Sequence, residues 1–191
     1  MSPTTTRSTP GIIDPTDISV RGGAPSAPRA TRPEQLAGAR VGLLSNTKRN
    51  ADRMLDAVGE ILLDDGRAAA LVRRVKHDFA MPLAPDLRAE LIRECDVVVV
   101  GVGDCGSCSA AAVADAIALE GAGVPAAVIC TEQFSSTSRA MAALKGDPEH
   151  PIVLTPHPVA NLTAEGILDR ARDLSGQVAD VLTRATRGAI G

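Results

Sequence analysis

Aromatic side chains are nearly missing from this sequence: it has no tryptophan and no tyrosine, and Phe79 and Phe134 are its only phenylalanines. A core without large rings has to be built from Val, Leu, Ile and Ala packed between flat layers, which suits helices laid on a sheet. The same shortage removes the stacking platforms used to bind single-stranded nucleic acid, and a formal net charge of −3 with interspersed signs supplies no basic stripe. No nucleic-acid partner is expected. Long apolar runs are absent too. None approaches the roughly 18 residues of a spanning helix, and the N-terminus has no apolar signal core, so no membrane partner is expected and the chain reads as cytoplasmic. Thiols stay reduced in that compartment, where a Cys-x-x-Cys pair is catalytic or metal-binding more often than structural.

With 191 residues, 45% of them hydrophobic, the chain can bury one sizeable core. Residues 1–38 are rich in Pro, Thr, Ser, Arg and Gly, with Ile12-Ile13 and Ile18 to Val20 as apolar islands. This segment reads as a flexible or locally docking arm ahead of one domain over 39–191.

From residue 41 the hydrophobic pattern becomes regular. Val41 to Ser45 reads as a strand, and Met54, Leu55, Val58, Ile61 and Leu62 make an apolar stripe at helical spacing behind an Asn50 cap. Ala69 to Val75 gives a second strand, and Pro85 opens a helix expected to turn Leu87, Leu91 and Ile92 inward. The third strand is the run Val97-Val98-Val99-Val100-Gly101-Val102-Gly103, followed by a helix over Ala110 to Leu119 that Gly121 and Gly123 end. Ala126 to Cys130, a short helix over Ser135 to Leu144, and Ile152 to Thr155 come next. A helix from about Thr163 to Ala185 closes the pattern, with Ile167, Leu168, Ala171, Leu174, Val178, Val181 and Leu182 on one side. Five strand–helix alternations imply one α/β domain, a doubly wound sheet of about five mainly parallel strands, flavodoxin-like or Rossmann-like, with helices on both faces.

In such sheets ligands bind outside the carboxyl ends of the strands. Those ends carry Ser45-Asn46-Thr47-Lys48, Lys76-His77-Asp78, Asp104-Cys105, Thr131-Glu132-Gln133 and Thr155-Pro156-His157. Loops are polar anyway, so Ser45, Lys76, Asp78 and Gln133 taken singly say little. Cys105, Glu132 and His157 together are more informative: a nucleophile, an acid or base and an imidazole.

Cys105 and Cys108 form the Cys-x-x-Cys pair at a strand-to-helix turn, where backbone N–H groups and a helix dipole favour thiolate. As a core cysteine, Cys105 would need apolar neighbours, which Gly103-Asp104 and Gly106-Ser107 do not supply. As a zinc ligand it would need three partners including Cys108, and only His77 and His157 are available. As a nucleophile it has Cys108 one helical turn on to resolve an adduct. Asp104 opposes ionisation if it lies beside the sulfur, and otherwise points away and caps the helix. Cys95 and Cys130 read as structural, and His150, in a loop beside Pro151, as solvated. Gly101-Val102-Gly103-Asp104-Cys105-Gly106 also matches the spacing of a dinucleotide fingerprint, although Asp104 would face the pyrophosphate with a like charge.

At Gly103-Asp104-Cys105-Gly106-Ser107-Cys108 the sequence resembles the UGSC family, selenoproteins and cysteine counterparts named for selenocysteine-Gly-Ser-Cys. Further points of resemblance are Ile13-Asp14-Pro15, Gly42-Leu43-Leu44 with Asn46, Lys48 and Asn50-Ala51-Asp52, Thr131-Glu132 and Pro156-His157-Pro158. Where family members often carry a further cysteine, this chain has Ala111. The resemblance implies redox or nucleophilic chemistry at Cys105, since selenium serves where a low-pKa, readily oxidised nucleophile is needed.

The combined expectation is a thiol-dependent redox or nucleophilic enzyme acting on a small electrophilic or sulfur- or heteroatom-containing molecule. Cys105 attacks, Cys108 resolves, and His157 or Glu132 moves the proton, while Asn46, Lys48, Asn50, Asp104, Gly106, Ser107 and Thr131 hold the substrate. No cofactor or metal is assigned; an external thiol or dithiol is the candidate reductant. The alternatives are a non-catalytic anion- or metabolite-binding module or partner subunit, and a metal site at Cys105, Cys108 and His157. The Ala-rich helical faces suggest a homo- or hetero-oligomer.

Overall fold

Valine sets the centre of the sheet. In the strand Val97–Gly103 every residue is buried, and because successive side chains point to opposite faces, Val97 and Val99 enter one core while Val98 and Val100 enter the other. A strand covered on both sides belongs in the middle of a parallel sheet, and it lies there in a computed structural model that describes residues 28–183.

In chain order the elements are β1 (Arg40–Ser45), α1 (Ala51–Asp64), β2 (Ala70–Val75), α2 (Pro85–Glu94), β3 (Val97–Gly103), α3 (Gly106–Glu120), β4 (Ala126–Thr131), α4 (Ser135–Leu144), β5 (Ile152–Thr155) and α5 (Ala164–Thr183). The strands pair in parallel in the order β2-β1-β3-β4-β5, the flavodoxin-like arrangement. Helices α1 and α5 cover one face through Met54, Leu55, Val58, Leu62, Ile167, Leu174 and Val178. Helices α2, α3 and α4 cover the other through Leu91, Ala112, Val113, Ala116 and Ala142. Among the described residues no helix is long and apolar enough to cross a membrane.

The expected elements are present, with local corrections. Helix α3 begins at Gly106 rather than Ala110, so Cys108 lies in its first turn. Ile92 and Leu168, expected to face inward, are 39% and 48% exposed. Each follows a buried residue, Leu91 or Ile167, and lies about 100° further round the helix. His150, expected in solvent, is fully buried, its Nδ1 3.0 Å from Asp147, which also pairs with Arg29.

The described part of the expected arm docks on the domain. Leu36 enters the α1/α5 core, and Glu120 accepts the Ala30 N–H and pairs with the buried Arg32 guanidinium. The islands Ile12-Ile13 and Ile18 to Val20, the Ile13-Asp14-Pro15 motif and residues 184–191 lie outside the described residues.

The end of β3 leaves the regular ladder. Its register against β4 shifts between Gly101 and Gly103, and the Asn46 amide takes over the Val102 backbone, accepting its N–H at 3.1 Å and donating to its carbonyl at 3.0 Å. The first two glycines of the fingerprint-like spacing are thus strand residues rather than a phosphate-cradling turn. Gly103 is glycine because α3 presses on it: a Cβ there would lie 2.5 Å from Cys130 Sγ and 2.9 Å from the Ser109 Cα. Gly103→Ala should cost about 1–3 kcal/mol through overpacking, seen as a lower denaturant midpoint. Gly106→Ala, whose Cβ meets open space, should leave the midpoint unchanged or raise it.

Candidate active site

Cys105 is the N-cap of α3, with extended backbone at φ −157°, ψ 169°. Its Sγ accepts the Cys108 N–H at 3.4 Å, and Cys108 Sγ in return accepts the N–H groups of Asp104 and Cys105 at 3.1 and 2.9 Å. This is a capping box in which two sulfurs take the places of the usual Ser or Thr oxygen and Glu carboxylate. It brings the sulfurs to 2.8 Å from each other, with Ser107 Oγ 3.6 Å from Cys105 Sγ.

The box makes the two thiols unequal. Burial pushes the Cys105 thiol up, but hydrogen bonds from the Cys108 side chain and backbone and from Ser107, with the positive charge of Lys48, outweigh it and hold the group below the ordinary thiol range. Burial, reinforced by the bond to Cys105, pushes Cys108 up to about 12 despite the N–H groups aimed at it. Burial likewise puts Cys95 and Cys130 at about 11, and both are buried in the core. A sulfur favoured as thiolate thus lies against one held as thiol.

Asp104 points away from the sulfurs. It caps no helix; instead its carboxylate accepts the N–H groups of Val159 and Ala160, the latter at 2.9 Å, and lies 3.0 Å from His157 Nδ1. The Thr131 hydroxyl donates to the Gly103 carbonyl and is 3.2 Å from the same Nδ1. A carboxylate neighbour fixes the proton on Nδ1 and leaves the Nε2 lone pair free. Phe134 holds the ring from one side, edge to face, with centroids 5.5 Å apart.

Several expected substrate ligands are engaged by the protein itself. Asn46 is engaged by the Val102 backbone and the Lys48 N–H. Asn50, left-handed at φ 67°, caps α1 through its backbone while its amide donates to the carbonyls of Val159, Ala160 and Leu162. Thr131 is fully buried, and Lys76 is buried against Asp115. Glu132 is exposed in a single 3-10 turn and its carboxylate has no bonded partner among the described residues, so it does not join His157. Gly106, Ser107 and the half-buried Lys48 stay at the crevice, Lys48 with its ammonium 4.6 Å from the centre of the Phe79 ring. Among the described residues no three His, Cys, Asp or Glu side chains are grouped to hold a metal, so Cys105, Cys108 and His157 do not form a ligand set.

The sequence profile of the UGSC family matches residues 11–184. The chain belongs to the UGSC family. No curated protein matches it significantly. Among solved structures, the flavodoxin-like domain of a Synechococcus sp. protein is similar at 13% identity, covering 72% of this chain and 96% of that domain with a TM-score of 0.35.

The cysteine form of the UGSC motif thus lies at the end of β3, on the β1/β3 switch point. Two contributors escaped the sequence reading: Phe134, which positions His157, and the pair Arg49 and Arg53, which line a cavity of about 480 Å³ with Lys48 beside the end of β1. The signal for the arginines was available, since three cations fall within six residues after the first strand. Because the folded site depresses the Cys105 pKa, its thiolate fraction at neutral pH exceeds that of a free thiol. Iodoacetamide labelling of Cys105 against pH should therefore have its midpoint below that of a free cysteine. In Cys108→Ala, which removes a donor to the thiolate, the midpoint should rise.

Proposed function

We propose that this UGSC-family protein is a thiol-dependent redox enzyme in which Cys105 attacks a small molecule at an electrophilic sulfur or other heteroatom. The observation that carries the reading is the 2.8 Å contact between a sulfur favoured as thiolate and a second, protonated sulfur one helical turn away.

For a substrate X–Y the Cys105 thiolate forms an S–X bond and Y leaves with the electron pair, taking a proton. Cys108 then loses its proton and attacks Cys105 Sγ; the S–S bond forms, and X leaves with its electron pair and takes a proton. The substrate gains two electrons, the dithiol becomes a disulfide, and an external thiol or dithiol restores it. His157, held by Asp104 and Thr131 with Nε2 open, is the group we assign to proton transfer. Glu132 lacks any such positioning, which favours the imidazole over it.

Hydroxyethyl disulfide, with dithiothreitol as reductant, is a suitable probe. The unsubstituted protein should turn it over, and Cys105→Ser should lose all activity while keeping its fold by circular dichroism. With dithiothreitol left out, Cys108→Ser should release one equivalent of thiol and stop, with the mixed disulfide on Cys105 visible by intact mass. His157→Gln should lower kcat by about 10²-fold, the usual scale of a lost general acid or base. Normal turnover by Cys105→Ser overturns the proposal.

A further inference from the structure

The described residues keep most of their arginines paired. Arg73 meets Asp56 and Glu60, Arg74 meets Glu90 and Glu94, and Arg32 is buried against Glu120. Arg49 and Arg53, like the exposed Arg88 on α2, break that pattern: among the described residues no carboxylate or carbonyl partners their guanidinium groups. Both line the cavity of about 480 Å³ outside the end of β1, together with Lys48 and the hydroxyl of Thr47. One carboxylate, Asp52, shares the wall and accepts the Arg53 N–H at 2.8 Å, so the lining carries a net excess of positive charge.

Three like charges around one concavity repel one another and concentrate field lines in it, an arrangement that favours an occupant of opposite sign. The first turn of α1 adds the positive end of a helix dipole at the same wall. Lys48 joins the cavity to the chemistry: it lines the cavity just after β1, which pairs in parallel with β3 so that Lys48 and Cys105 follow neighbouring strands at the same edge of the sheet, and its charge also acts on Cys105.

We infer that the substrate attacked by Cys105 carries an anionic group, a carboxylate or a phosphate, held by Lys48, Arg49 and Arg53 in this cavity. The inference rests on the thiolate reading above and adds the substrate's chemical class to it. The anion would bind as a fixed handle, leaving the electrophilic centre to reach the sulfur. Attraction to the cavity would also offset the repulsion between an anionic substrate and an anionic nucleophile.

Two alkylating agents separate the two claims. Iodoacetate and iodoacetamide both give a carbon–sulfur bond at the thiolate with loss of iodide, and differ in that only the first carries a carboxylate. The ratio of their rate constants therefore reports the anion's contribution, whatever the thiolate fraction. With the full chain at low salt, the iodoacetate-to-iodoacetamide ratio at Cys105, read by peptide mass spectrometry, should exceed that of 2-mercaptoethanol by about tenfold, the lower end of electrostatic steering. Inorganic phosphate or acetate, at ionic strength matched with sodium chloride, should remove the excess. The more effective of the two names the preferred group. The double variant Arg49→Gln/Arg53→Gln should bring the ratio most of the way back to that of the free thiol. A ratio equal to that of 2-mercaptoethanol in the unsubstituted protein, or one that neither anion lowers, overturns the inference. A slow iodoacetamide reaction with the ratio still raised would instead overturn the thiolate reading and leave the anion site standing.

Discussion

The Asp104 carboxylate is the constraint on which the site depends. It follows β3 directly and precedes Cys105, yet its oxygens bind Val159 and Ala160, 55 and 56 residues further along. A nearly buried carboxylate is tolerated only with its acceptor sites filled, and here two N–H groups and an imidazole fill them. That requirement fixes the loop after β5 against the end of β3. Asn50 grips the same loop from the other side through three carbonyls. His157 and the sulfur pair are consequently carried on a tied frame rather than on free loops.

The near-absence of aromatics takes on a different meaning in the folded chain. The sheet is packed by aliphatic residues in two layers with no large ring in either core. Both phenylalanines lie at the crevice, Phe79 under Lys48 and Phe134 against His157. The cysteines divide in a similar way. Cys95 and Cys130 fill small spaces in the core on the α3 side of the sheet, and Cys105 and Cys108 occupy the helix start, where N–H groups converge on sulfur.

The strands were legible because a parallel sheet writes itself as short apolar runs, and the valine run of β3 left no other reading. Cys105, Cys108 and His157 were legible for a related reason: strand ends in this topology share one edge. What could not be read was direction. Asp104 reads in sequence as a charge beside the sulfur or as a helix cap, and its true partners are encoded far away. Asn46 and Asn50 looked like substrate ligands because the strand-end rule says where a residue lies, not whether the backbone already uses its amide. The start of α3 is hidden in the sequence because cysteine is not among the usual capping residues. His150 looks solvated in sequence because Arg29, which pairs with its partner Asp147, lies 118 residues before that aspartate.

The central claim is that Cys105 and Cys108 act as one dithiol set apart from the other two thiols. It is tested most directly by equilibrating the full chain in a series of oxidised and reduced dithiothreitol mixtures, quenching with acid and mapping every cysteine by mass spectrometry. The account predicts a Cys105–Cys108 disulfide that forms as a single two-electron step while Cys95 and Cys130 remain thiols. Persistence of both Cys105 and Cys108 as free thiols in the most oxidising mixture, or oxidation falling first on Cys95 or Cys130, would contradict it.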